Sequence, residues 1–336
     1  MPILGIMASS KPGRSANAIA VAHGGSPYIS VYPWSAGFGT KYADPATLPA
    51  GTARGVSFNF NSTALATVHN TTPFVTVYAW ANGFGSKYAD PATLPASTGI
   101  GVDFQPNGTS LAVSHASSPY ISVYPWSSGF GSKYADPATL PGLTARGVSF
   151  NPAGTAIAIG SDATPFIQAY PWSSGFGTKY ADPATLPTGE GGGVAFNPAG
   201  TALAIGHAIT PFVTAYPWSA GFGTKYANPA TLPPDRGRGI DFNPAGNAIV
   251  MGNDNVPPYV IAYAWSAGFG TKYSDPSTAP TGGTQGVDFN TLGDTIALSH
   301  ANSPYISTYP WSAGFGTKYA NPSTLPTGNA IGVKFN

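Results

Sequence analysis

The side chains best suited to chemistry are few, and they recur at a fixed step. All five histidines, His23, His69, His115, His207 and His300, occupy one position of an internal repeat, and the two remaining copies carry Ser161 and Asn253 there. Closed into a ring, these positions form a circle of imidazoles near one face. That circle reads either as a ligand-binding or pH-sensitive surface, or as a set of side chains that hydrogen-bond neighbouring loops, as Ser and Asn also can. A shared metal ion is not expected, because ligands must come within about 2 Å of it and positions spread around an axis stay apart.

The second set lies in the segments between copies, AGTARG, ASTGIG, GLTARG, TGEGGG, PDRGRG, TGGTQG and TGNAIG, which hold Arg54, Arg146, Arg236 and Arg238, Asp235 and the single glutamate, Glu190. By the repeat's topology they share a face with the histidines, as does an insertion at residues 253–257. This least symmetric face is the candidate binding surface, although loops also vary freely where nothing depends on them. A third set is aromatic: Trp34 with Phe38, Trp80 with Phe84, Trp126 with Phe130, Trp172 with Phe176, Trp218 with Phe222, Trp265 with Phe269 and Trp311 with Phe315, each Phe between two glycines. These form either platforms for sugar rings or partner proteins, or closures in which each Phe folds onto its own Trp. The spaced pairs Lys41 with Asp44, Lys87 with Asp90 and Lys133 with Asp136 read as solvated edges, with Asn228 and Asn321 replacing the acid in two copies.

Catalysis finds little support. General acid-base work needs unlike titratable groups held together, whereas the one Glu sits in a Gly-rich loop and the aspartates are dispersed along the repeats. An enzyme on the axis of a ring would need an asymmetric acidic cluster, which is not visible. No nucleophile-elbow, zinc-helix, phosphate-loop or calcium-loop spacing occurs. The chain is therefore expected not to be an enzyme, with no cofactor and no metal.

The elements that position these residues follow from the period. Seven tryptophans are spaced by 46 residues, once by 47, and a Gly-Val/Ile-x-Phe motif keeps the same step from Gly55 to Gly332. In the copy at residues 147–187, Val148 and Phe150 alternate as a first strand, Asn151-Pro152-Ala153-Gly154 turns, and AIAI makes a second strand apolar on both faces. Phe166 to Tyr170 alternates as a third strand, and residues 178–181 read as a short fourth that ends at Asp182-Pro183. Four short antiparallel strands repeated seven times predict an all-β, seven-bladed β-propeller. The first copy lacks Gly-Val-x-Phe and the last residues, Gly332 to Asn336, supply one. The C-terminal strand is thus expected to complete the first blade and close the ring. Residues 1–14 read as an N-terminal extension and residues 15–336 as one propeller domain.

Composition bounds the partners. Only 8% of the 336 residues are charged and the net charge is +1, which argues against a nucleic-acid or anionic-lipid surface. There is no cysteine, hence no disulfide. No apolar run approaches the roughly 18 residues of a membrane helix, and no basic segment precedes the short apolar start expected of a secretory signal.

GVSFNPAGTAIAIG followed by PFIQAYPW resembles a WD-repeat blade, and LPTGxxxGVxFNPAGTAxAIGH with SPY and DPATLP is similar to WD-like propeller repeats of bacterial and tailed-phage proteins. The likeness covers residues 15–336, but Tyr32-Pro33 stands where the Trp-Asp dipeptide would be, so the hydrogen-bond network of that pair is not implied. MPILGIMASS resembles an N-terminal segment of marine tailed-phage virion proteins. The resemblance implies a non-enzymatic virion structural module that docks other virion or surface proteins through one face; the alternative is a propeller that recognises host-surface glycans.

Overall fold

A computed structural model describes residues 17–336, so the N-terminal decapeptide and the whole of the expected extension, residues 1–14, lie outside the described residues. The described chain forms seven small antiparallel sheets and no helix, a seven-bladed β-propeller. Blades are numbered here by their tryptophans, from Trp34 in blade 1 to Trp311 in blade 7. Their first strands are Ala330–Phe335 in blade 1, Ala53–Phe58, Gly99–Phe104, Ala145–Phe150, Gly191–Phe196, Gly237–Phe242 and Thr284–Phe289. Each packs against the first strands of both neighbouring blades, and the seven form a closed inner ring.

The motif's glycine follows from that crowding. A Cβ on Gly147 would come within 2.6 Å of Gly192 O, and one on Gly332 within 2.7 Å of Arg54 O, so only a residue without a side chain lets adjacent inner strands approach. Second strands such as Ala18–His23 are buried throughout, with two unlike faces. Ala18, Ala20 and Ala22 pack against Val56, Phe58, Leu65 and Trp80 of blade 2, whereas Ile19 and Val21 pack against Ala297 and Ile306 of blade 7. The core is therefore seven layers between blades, small residues on one wall and branched or aromatic ones on the other. A buried tyrosine fastens each layer: Tyr78 donates to Thr47 O of the preceding blade at 2.8 Å, and Tyr32 to Thr324 O across the closure at 2.8 Å.

Ring closure reproduces a turn without a covalent link. In blade 4, Asn151 Oδ1 accepts the amides of Thr155 and Ala156 at 2.8 and 2.9 Å. In blade 1 the terminal Asn336 takes this place and accepts the amides of Asn17 and Ala18 at 2.9 and 3.0 Å, while Ile19 pairs with Phe335 and Val21 with Val333.

The outer edge departs from the expected four strands. Blades 2 and 6 have a fourth strand, Phe84–Lys87 and Phe269–Lys272; the other five keep only an isolated Trp–Phe bridge, and residues 178–181 form no strand. The cause lies one residue before the tryptophan. Blades 2 and 6 have Ala79 and Ala264 there, while the rest have proline, as at Pro33 and Pro171. Proline has no amide hydrogen to give to an outer ladder.

Candidate functional site

The five imidazoles do not form a surface. Each histidine is 0% exposed, and its Nε2 lies 2.9–3.1 Å from a hydroxyl seven residues on, at Ser30, Thr76, Ser122, Thr214 or Ser307. Burial pushes His23, His115, His207 and His300 down to about 4 and lowers His69 as well. In the blades without histidine, Ser161 bonds Gln168 and Asn253 bonds Val256 O. The expected circle at a binding face is thus replaced by neutral rings that lock second strand to third inside each blade.

The aromatic rim is likewise interior. The seven tryptophans are 3–6% exposed. Trp80 meets Phe84 of its own loop, Phe58 of its first strand and Tyr42 of the preceding blade, all edge-to-face with ring centres 5.3–5.4 Å apart. Trp34 does the same with Phe38, Phe335 and Tyr319 across the closure. Indoles held this way fill inter-blade space and present no platform. The Lys–Asp pairs form on the outer edge as exposed i,i+3 contacts, with Lys225 and Lys318 bonded to Asn228 and Asn321 instead.

Charged groups of the inter-blade segments do converge, and only over blades 4 to 6. Glu190 precedes the first strand of blade 5, and its carboxylate lies 2.9 Å from Arg236 Nη2 of the next blade and 3.8 Å from Arg146 Nη2 of the previous one. Arg146 also binds Asp162, and Arg238 grips Asp254, which accepts from Gln285 at 2.8 Å. Asp235 Oδ2 accepts the amide of Asn255 at 2.8 Å, tying the inserted loop of blade 6 to the same arc. Arg54 stands on blade 2, outside the arc, with its buried Nε unpaired. Sequence neighbours do not make this arc; Glu190 and Arg236 are 46 residues apart and meet because equal positions of adjacent blades lie side by side.

A second charged set lies on the inner strands, near their opposite end, and was not expected. The variable letter of Gly-Val-x-Phe reads Ser57, Asp103, Ser149, Ala195, Asp241, Asp288 and Lys334 around the ring. The three aspartates each accept the phenylalanine amide of the next blade, Phe150, Phe289 and Phe335, at 2.7–2.9 Å. Lys334, on the closing strand, bonds Asp288, whose side chain is 4% exposed. Burial, with the neighbouring charge of Asp288, pushes Asp241 up to about 7. Burial works against the Lys334 cation, but Asp288 and Asp241 outweigh it and raise the ammonium above its ordinary value. The asymmetric acidic cluster therefore exists; reading the motif's variable letter as a column of adjacent positions reveals it. Its hydrogen bonds staple inner strands together.

Among the described residues, no group of three or more His, Asp or Glu is arranged to hold a metal ion, and no helix is long and apolar enough to cross a membrane. No protein-family model and no curated protein sequence matches the chain. Solved structures do match its shape. A candidate 6-phosphogluconolactonase from Bacteroides uniformis is 15% identical with a TM-score of 0.71, over 95% of this chain and 99% of that one. The periplasmic gluconolactonase of Pseudomonas aeruginosa is 15% identical with a TM-score of 0.68, over 95% and 98%. A candidate 6-phosphogluconolactonase from Bacteroides fragilis is 12% identical with a TM-score of 0.61, over 95% and 97%. Such identities establish a shared propeller fold. They also correct the expectation of a non-enzymatic virion module that docks partners or binds host glycans. The functions named among these propellers are those of lactonases, and none of the three is named as a virion or WD-repeat protein. The expectation that the chain is not an enzyme falls on the same finding.

Proposed function

We propose that the protein is a hydrolase that opens cyclic esters, with its site at the charged arc over blades 4 to 6. The observation that carries this reading is Glu190, the chain's one glutamate, 46% exposed and set between guanidinium groups from two neighbouring blades. Water held by the Glu190 carboxylate adds to the lactone carbonyl carbon and gives its proton to that carboxylate. Arg146 or Arg236 stabilises the negative charge that develops on the carbonyl oxygen. Collapse breaks the ring C–O bond, and the departing alkoxide takes the proton back from Glu190, leaving a hydroxy acid. The lactonase names of the fold neighbours favour this class of reaction by analogy of fold alone.

The test is pH-stat titration of acid release from gluconolactone and 6-phosphogluconolactone at neutral pH, with the spontaneous rate subtracted. Turnover is expected, falling about 10²–10⁴-fold in Glu190→Gln, as loss of a general base does. Rates no higher than spontaneous with these two and with γ-lactones from butyrolactone to decanolactone, or full activity in Glu190→Gln, would refute the proposal.

A further inference from the structure

The charged arc is edged by exposed apolar side chains. Ile209 is 57% exposed, Leu143 56% and Val256 40%, on blades 5, 4 and 6, the blades that also build the arc. Residues equivalent to Ile209 and Val256 in the other blades are Gly25, Thr71, Ser117, Ala163 and Asn302, each accepting the same turn amide, as Ile209 O does from Phe212. The fold thus accepts polar or small residues at this position. Large apolar ones stand there only beside the arc.

The turn shared by the blades places them next to the arc. Thr188 Oγ1 donates to Ile209 O at 3.0 Å, and Ala208 N to Glu190 O at 3.0 Å, which sets Ile209 directly beside the glutamate. A Cβ on Gly189 would meet Ile209 Cγ1 at 2.9 Å, so a glycine there makes room for the isoleucine. Val256 follows Asn255, whose side chain and amide both bond Asp235, next to Arg236. An isoleucine and a valine held half in water on the two blades that carry the Glu190–Arg236 pair gain nothing from solvent.

We infer that the substrate taken at this arc carries an alkyl or similar apolar group beside its ester, and that Ile209 and Val256 receive that group. This rests on the ester-opening reading and narrows it, because a fully hydroxylated sugar lactone has nothing to place against these side chains. Ile209 and Val256 are then specificity determinants that touch the part of the substrate that does not react.

The experiment measures kcat/KM for γ-lactones of increasing alkyl length, from butyrolactone to decanolactone. Full burial of a methylene is worth about 0.8 kcal/mol, or about fourfold in kcat/KM, and a half-open edge should give about twofold per methylene. Ile209→Ser and Val256→Ser are expected to flatten that dependence, while Leu292→Ser, an equally exposed residue on a turn at the opposite end, leaves it intact. Turnover without dependence on chain length, or dependence that survives in both serine variants, overturns this inference and leaves the ester-opening reading standing. If no lactone is turned over, the ester-opening reading fails by itself. Calorimetric binding of the corresponding 4-hydroxyalkanoates then decides the inference: affinity that rises with chain length and falls in Ile209→Ser upholds the apolar subsite, and affinity that ignores chain length removes it.

Discussion

Acid should unfold this propeller through its histidines, well above the range where carboxylates usually act. Four imidazoles are pushed from an ordinary 6.5 to about 4 by burial. Between those values the unfolded chain binds protons that the native chain refuses. Stability therefore rises with pH across this window, is fully present above 6.5, and is lost as pH falls toward 4. Each shift corresponds to about 3 kcal/mol. Asp241 has the opposite sign: raised from 3.8 to about 7, it is protonated in the native state and ionised in the unfolded one over the same range. Unfolding near pH 5 then takes up four protons and releases one, a slope of about 4 kcal/mol per pH unit, to which His69 adds in the same direction. Two pH units then remove about 8 kcal/mol, a large share of a total stability of about 5–15 kcal/mol. Guanidinium unfolding followed by tryptophan fluorescence at pH 7, 6, 5.5 and 5 measures the slope. His115→Asn, which copies the natural choice at Asn253, should lower it by about 1.4 kcal/mol per pH unit. A stability unchanged or increased between pH 7 and pH 5 would refute the burial argument.

The closure and the edges make three further predictions. Asn336→Ala loses two amide caps and should cost about 1–3 kcal/mol in denaturant titrations, whereas deletion of residues 330–336 bares the edge of Ala18–His23 and should yield aggregated or oligomeric material by size-exclusion chromatography. Lys334→Met strands the buried Asp288 and should cost about 3–5 kcal/mol, most of it recovered by adding Asp288→Asn; equal costs for the single and double variants would remove the pairing argument. Pro125→Ala should convert the Trp126–Phe130 bridge into a paired outer strand like Phe84–Lys87 of blade 2, seen in hydrogen exchange as protection of the amide introduced at position 125, since Gly131 N already donates to Pro125 O.

The architecture was legible because its constraints repeat. The glycine of the inner strands, the inter-blade tryptophan and the displaced first strand each recur or stand orphaned at a fixed step, and a closed ring is their one common solution. The site was less legible because the relevant neighbours lie one whole period apart, as with Glu190 and Arg236 or Asp288 and Lys334. Within a copy each looks isolated; the contacts appear only when equal positions of successive copies are read as a column. The histidines left two readings open, a surface circle or internal hydrogen bonds. The hydroxyl seven residues later decides for the second by meeting each Nε2 inside the blade, although Nδ1 of His69 and His115 stays without a partner. The missing outer strands, by contrast, were written in the choice of Pro or Ala before each tryptophan.

Departures from sevenfold repetition therefore separate what the ring needs from what it only tolerates. A ring of equal blades needs the same glycine, tryptophan and fastening tyrosine at every step, and it has them. Nothing in closure or packing singles out blades 4 to 6, yet these hold the Glu190–Arg pair, the inserted loop and the exposed Ile209 and Val256. Partly exposed ion pairs contribute about 0–1 kcal/mol, so the arc is a poor investment in stability. Glu190→Gln and Arg236→Ser should accordingly leave the unfolding midpoint within experimental error, while Glu190→Gln slows ester opening about 10²–10⁴-fold. If either substitution instead lowers stability by more than about 2 kcal/mol, beyond what such a pair supplies, the arc is structural and its asymmetry records folding.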